Sequence, residues 1–189
     1  MLPSLMNDYT QLLSCDSLYL DTCALVKIEF DEGLTTNLAR FLTFGTEFQI
    51  YSSYLAFGEF VSVSGRKEEK EKLITSVDYL AICRRLMIDF DMNTIKRFEP
   101  FENGPKERID FEKHAASLFA KYPNLGGGDL WHLIAAIRLK KENPNSGFLT
   151  FDKKLSGAAS QEGVRSFDGS LMDLAMVEAK LKAAGKVKV

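Results

Sequence analysis

Residues 17–27 read SLYLDTCALVK, and this stretch decides the fold. Ser17 to Leu20 is a short apolar run that predicts a strand ending at Asp21, and Thr22 to Ile28 can begin a helix directly after it. The pattern returns further on. Gly147 to Phe151 (GFLTF) predicts a strand with Asp152 at its end, followed by a short helix over Lys153 to Ser160. Short apolar strands alternating with helices indicate an α/β protein with a parallel sheet. In such sheets ligands sit beyond the carboxyl ends of the strands. Asp21 and Asp152 both fall at predicted strand ends, so two carboxylates are expected on the functional edge. The expected architecture is three-layer α/β/α around a central, mostly parallel sheet.

Outward from these strands, Leu34 to Phe44 carries Leu34, Leu38, Phe41 and Leu42 at helical spacing, and Phe48 to Tyr51 reads as a second buried strand. Ser52 or Ser53 can cap a helix that contains Glu59 and runs to about Ser62, with a break at Gly65. Lys67 to Arg85 reads as a long amphipathic helix with Leu73, Val77, Leu80, Ala81 and Arg84 in register, and Met87 to Phe90 as a third strand. Asn93 to Arg108, with Pro100, Gly104 and Pro105, reads as a loop or irregular insertion. Ile109 to Lys121 is expected to be helical, and Gly126-Gly127-Gly128 leads into a helix from Asp129 to about Lys141. Val164 to Phe167 predicts a short strand and Leu171 to Ala184 a last helix. The start, MLPSLMNDYTQLL, suggests a short amphipathic helix, and the basic tail GKVKV a frayed end. No repeat, low-complexity tract or linker divides residues 1–189, so one domain is expected, with its motif-bearing core at about 17–168 and helical extensions on either side.

Composition narrows the function. A chain of 189 residues with 46% hydrophobic side chains suits one domain with a full core. The formal net charge of -2 excludes attraction of the whole protein to a polyanion, so nucleic acid would have to use local basic patches. An acidic metal site would itself lower that charge. Cys15, Cys23 and Cys83 are odd in number and form no CxxC pair, which argues against a disulfide framework or zinc knuckle and for a reducing cytoplasm. Only His114 and His132 are available as imidazoles, too few for a multi-His metal site. No apolar run approaches the roughly 18 residues of a membrane span, and the start lacks the basic region of a signal peptide. No membrane partner is expected.

Four carboxylates are candidate site residues. Asp21 and Asp152 each stand where a helix N-cap would, and either can serve as cap and ligand together. Glu59 is the lone charge in SSYLAFGEFVSV; a helix face normally carries several polar groups, so a single one among Leu55, Phe57, Phe60 and Val61 either points at something or snorkels to solvent. Asp129 opens GGGDLWHLIAA, where the helix dipole favours an acid and the glycines allow close approach of a ligand or another element. Thr150 shares a strand face with Asp152 and can orient a carboxylate or a water. His132, three residues after Asp129, reads more readily as a satisfied, half-buried histidine beside Trp131 than as a ligand, and Cys23 as a packed small residue.

Taken together, LYLDTCALVK, SSYLAFGEF, GGGDLWHLIAAI and GFLTFDKKL resemble the four motif blocks of PIN domains, in that family's order, over about residues 17 to 168. The resemblance implies that Asp21, Glu59, Asp129 and Asp152 form an acidic catalytic and metal-binding quartet, supported by Thr22 and Thr150. It implies a metal-dependent endoribonuclease that leaves 5′-phosphate and 3′-hydroxyl ends. If the chain is toxin-like, it also implies a small antitoxin partner and a homodimer. The N-terminal extension, the insertion near 93–108 and the last helix depart from the short bacterial toxins of the family. A haloacid dehalogenase phosphatase would need a second acid two residues after Asp21, where Cys23 stands, and a receiver domain would need adjacent acids there. The rival reading is a non-catalytic PIN-like scaffold that binds RNA or protein.

The chemistry of the quartet agrees with a cation. Two carboxylates about 4 Å apart repel by roughly 4 kcal/mol at an effective dielectric near 20, so without metal one member should hold a proton. Oxygen-only ligands favour Mg²⁺ or Mn²⁺ over Zn²⁺. Lys27, Arg138, Lys153 and Lys154 are candidate phosphate contacts, each of which also reads as solvated surface charge.

Overall fold

The computed structural model describes residues 10–30, 34–69, 74–101 and 105–188. Its centre is β1 (Ser17–Leu20), flanked by β2 (Gln49–Ser52) and β4 (Ser146–Thr150), with β3 (Ile95–Arg97) and β5 (Arg165–Asp168) at the edges in the order β3-β2-β1-β4-β5. Every pairing is parallel. Parallel neighbours cannot be joined by a hairpin, so helices make each crossover. These are α1 (Thr22–Glu29) and α2 (Leu34–Phe44), α3 (Tyr54–Glu69) and α4 (Ser76–Asp91), α5 (Pro105–Lys121) and α6 (Gly127–Glu142), and α7 (Lys153–Gln161). After β5 a 3-10 turn at Gly169–Leu171 leads to α8 (Leu174–Ala183).

Alternation along the strands splits the apolar side chains between two cores. Leu18 and Leu20 of β1 and Leu149 of β4 pack with residues of α1, α2, α3 and α8, among them Leu25, Leu42, Phe60 and Leu181. Tyr19 and Phe148 face the other way, against Leu118 of α5, Leu133 of α6 and Leu155 of α7. Helices therefore cover both faces of the sheet, and the fold is three-layer α/β/α. Gly147 lets β4 sit this close to its neighbours, since a Cβ there would lie 2.5 Å from the Phe167 ring.

The chain runs outward from β1 to β2 and β3, then returns to β4 and β5, so the order reverses between β1 and β4. In open α/β sheets such a reversal is where a crevice forms at the carboxyl ends of the strands. Leu20 pairs with Leu149, so the next residues, Asp21 and Thr150, stand side by side at its mouth.

Several local expectations are corrected. Gly65 does not break α3, which continues to Glu69; its cost of about 1 kcal/mol as a helical glycine is outweighed by packing. Met87 to Phe90 is helical. Thr75 and Asp78 form a capping box that starts α4, and Asn93, in the left-handed region at φ 56°, follows its end. The third strand is instead Ile95–Arg97, inside the stretch read as a loop. Proline at the first position of α5 is compatible with a helix start because no N–H is needed there, so the helix begins at Pro105 rather than Ile109. Val77 and Leu80 are 76% and 65% exposed, so that stripe of α4 faces outward while Leu86 is buried; Leu73 lies outside the described residues. The tail is docked through Lys188: Val187 bridges Thr46, Lys188 N–H donates to Gly45 O at 3.1 Å, and Lys186 Nζ donates to Cys15 O. Of the N-terminal helix, residues 10–13 are helical and 1–9 lie outside the described residues. Among the described residues no helix is long and apolar enough to cross a membrane.

Candidate functional site

Asp21 leaves β1 directly into α1 and is fully buried at the crevice. Oδ1 accepts the Ala24 N–H at 2.8 Å, which caps the helix, and Oδ2 accepts the Thr150 hydroxyl at 2.5 Å. Thr150 Oγ1 also accepts the Asp152 N–H at 2.9 Å, so one hydroxyl ties the ends of β1 and β4 together. Burial pushes the Asp21 carboxyl up to about 6; His132, Thr150 and Ala24 work against the rise, and the charge of Asp129 adds to it.

Glu59 projects from α3 toward α1 and α6. Its Oε2 accepts the Thr22 hydroxyl and lies 3.2 Å from His132 Nε2, and His132 Nε2 is 3.1 Å from Thr22 Oγ1. On the far side of the ring, His132 Nδ1 is 3.1 Å from the Tyr19 hydroxyl. The His132 hydrogen bond, helped by Thr22 and opposed by burial, holds the Glu59 carboxyl below its usual range. The side chain is still 37% exposed, so its charge reaches the crevice.

Asp129 lies in the first turn of α6, where Oδ2 accepts the Gly126 N–H at 2.9 Å. Asp152 caps α7, with Oδ1 accepting from Lys154 N at 2.7 Å and Leu155 N at 3.0 Å. The glycine run has one firm requirement: a Cβ on Gly128 would lie 2.1 Å from Glu59 Oε1. Gly128 therefore gives the Glu59 carboxylate its seat against α6.

Cys23 shows how these acids are arranged. Its thiol is pushed up to about 12, first by lost hydration and then by the charges of Asp21, Asp152, Asp129 and Glu59, although the residue reaches solvent. All four carboxylates thus act on one point at the carboxyl end of the sheet. They do not close into a cage: among the described residues no three His, Cys, Asp or Glu side chains form a ready metal site. Every donor in the group is a carboxylate or hydroxyl oxygen, apart from the His132 ring.

The basic candidates are spread more widely. Lys27 is half-buried one turn beyond Cys23, and burial lowers its ammonium below the ordinary lysine value. Lys153 and Lys154 are exposed beside Asp152 and line a depression of about 410 Å³ with Lys121 and Asn124. Arg138 lies farther along α6 and pairs with Glu142 at 2.8 Å. His132 is 2% exposed, more buried than its sequence position implied, and it joins Glu59, Thr22 and Tyr19. Its place three residues after Asp129 was the available signal. Nothing in the sequence pointed to Tyr19 as its partner, because its hydroxyl lies inside a short, mostly apolar strand.

No protein-family model matches the chain, and no curated protein matches it.

Proposed function

We propose that this chain is a metal-dependent endoribonuclease of the PIN-like kind, hydrolysing RNA phosphodiester bonds at the β1/β4 crevice in the cytoplasm. The observation that carries the reading is the convergence of Asp21, Glu59, Asp129 and Asp152 from two strand ends and two helices: Thr150 bonds both the Asp21 carboxylate and the Asp152 N–H, and the Glu59 carboxylate packs against Gly128 beside Asp129. A parallel sheet presents ligands at this end, and four acids there make sense as the seat of a cation.

The donor set fits Mg²⁺ or Mn²⁺. Such hard cations keep several waters and take one or two carboxylates plus substrate phosphate, which agrees with an open acidic crevice. Asp21, Glu59, Asp129 and Asp152 would hold the ion. When bound, it supplies charge neutralisation at the scissile phosphate and a more acidic water. The protein's own part is to hold these acids in place. Thr150 and the Ala24 N–H fix both oxygens of Asp21, while Thr22 and His132 fix Glu59. The amino ends of α6 and α7, which carry Asp129 and Asp152, add partial positive charge where a phosphate would lie. Lys153 and Lys154 offer phosphate contacts at the rim.

The test is incubation of purified protein with mixed structured and single-stranded RNA in Mg²⁺, Mn²⁺ or EDTA. Cutting that needs metal and disappears in Asp129→Asn is the expected result; a metal-independent or Asp129-independent product overturns the reading. One observation favours a second reading, a binding scaffold: each carboxylate already accepts a hydrogen bond from its own chain. Saturable RNA binding without cleavage is its signature. An antitoxin and a homodimer are the partners the family resemblance suggests, and co-purification from the native host tests for both.

A further inference from the structure

A second cleft, of about 750 Å³, is lined by Tyr54, Arg97, Phe98, Phe101, Trp131 and Arg138 among others. It shares two helices with the acidic group. Leu55, in its wall, is one turn before Glu59 on α3, and Trp131 is two residues after Asp129 on α6. Its chemistry is different. The Arg97 guanidinium lies over the Tyr54 ring at 4.0 Å, and the Arg138 guanidinium over the Phe98 ring at 5.6 Å. Tyr54 is 53% exposed and the Arg97 side chain 56%. Phe101 and Trp131 meet at 5.6 Å, close to perpendicular.

The arginines here are not arranged as bare phosphate clamps. Arg97 Nε bonds Glu99 Oε1 at 3.1 Å, and Arg138 Nε bonds Glu142 Oε1 at 2.8 Å. Their formal charges are balanced within the cleft. What they retain is a flat π-like surface, already layered on an aromatic ring. Guanidinium planes and aromatic faces are what unpaired bases stack upon, and acidic side chains beside them can accept from base amino groups.

We infer that this cleft seats an unpaired nucleobase of the strand whose backbone passes the acidic crevice. The inference rests on the nucleic-acid reading above and names its substrate class as single-stranded. A duplex, with its bases stacked inside, offers no free face to the cleft. The Arg97–Tyr54 layer is the platform, and Glu99 stands next to it to contact the base edge.

The chain has one tryptophan, Trp131, and it lines the cleft, so its fluorescence reports occupancy directly. Full-length protein in EDTA, where no metal-dependent cleavage can occur, is titrated with ten-nucleotide RNA oligomers of each base, with a duplex, with DNA oligomers and with an abasic oligomer of equal charge. The expected result is saturable quenching by at least one single strand and binding at least about tenfold weaker for the duplex and the abasic chain. Binding of DNA as well supports the seat and shows that no 2′-hydroxyl is read. Arg97→Ala and Arg97→Lys should each weaken binding by about tenfold while the melting temperature stays put. Lysine keeps the charge but lacks the plane, so full rescue by Arg97→Lys overturns the inference. So does equal affinity for the abasic chain, or no quenching by any oligomer. A separate metal-dependent cleavage assay keeps the two readings apart: stacking without cutting removes the nuclease and leaves the base seat, and cutting that ignores Arg97→Lys does the reverse.

Discussion

The acidic crevice and the aromatic cleft share α3 and α6 but are built on opposite terms. In the crevice, Asp21 is buried, doubly bonded and pushed toward neutrality. In the cleft, Tyr54 and Arg97 are half in solvent, and the charge of Arg97 is cancelled by Glu99. Burial with incomplete charge compensation leaves a carboxylate strained toward its neutral form; exposure with compensation leaves flat, polarisable surfaces in contact with solvent. The difference teaches that a buried, charge-strained site and an exposed, charge-balanced one can stand about one helical turn apart on the same helix.

The largest expected effect breaks the first region outright. Asp129→Asn keeps the size and the Gly126 hydrogen bond but loses the charge, and should lower metal-dependent cleavage by about 10²- to 10³-fold with little change in melting temperature. If cleavage persists, the crevice is not the reacting site.

Next comes a pH effect on stability, measured without metal. The folded Asp21 carboxyl titrates at about 6, above its ordinary 3.8. The folded state therefore binds the proton more tightly. This contribution is full below the ordinary value and is lost as pH rises through about 6, a change of about 2–3 kcal/mol. Denaturant melts of wild type and Asp21→Asn from pH 4 to 7 should show the variant gaining on wild type as pH rises. Glu59 runs the other way: its lowered value gives stability above the ordinary 4.5 that is lost as pH falls through the folded value. A flat difference curve for Asp21→Asn would refute the buried-charge account.

Smaller still, Gly128→Ala brings a Cβ against Glu59 Oε1 and should pull that carboxylate off Thr22 and His132. Roughly tenfold slower cleavage is expected, since small misplacements cost rate, while alanine's better helix propensity offsets part of any loss of stability. An unchanged rate would show that Glu59 needs no seat on α6. The smallest effect sharpens the fold alone. Leu80→Glu on the exposed stripe of α4 should change stability by no more than about 0.5 kcal/mol in a denaturant melt.

That last variant marks where sequence reading stopped working. β1, β4 and the acids at their ends were legible because each is a short apolar run closed by Asp, and the parallel sheet followed from the alternation. Placing Asp21 beside Thr150 needed the strand register, which no local pattern carries. Residues 65–105 misread for three local reasons. A helical glycine resembles a stop, MIDF suits a strand as well as a helix, and a three-residue edge strand such as Ile95–Arg97 is too short to show a period. The capping pair Thr75 and Asp78 was visible and would have fixed α4. The His132 network and the Arg97–Tyr54 layer join residues far apart in the chain, so side-chain chemistry alone could not pair them.

Strand order also governs when the site can exist. β1 is the first strand made but sits in the middle, and its second neighbour, β4, arrives only at Ser146–Thr150. Thr150 reaches back 129 residues to bond Asp21. Until β4 emerges, one flank of β1 stays open, a row of unpaired backbone N–H and C=O groups. A nascent chain that has not yet presented β4 has neither Thr150 nor Asp152, so the acidic end assembles only after β4 has emerged.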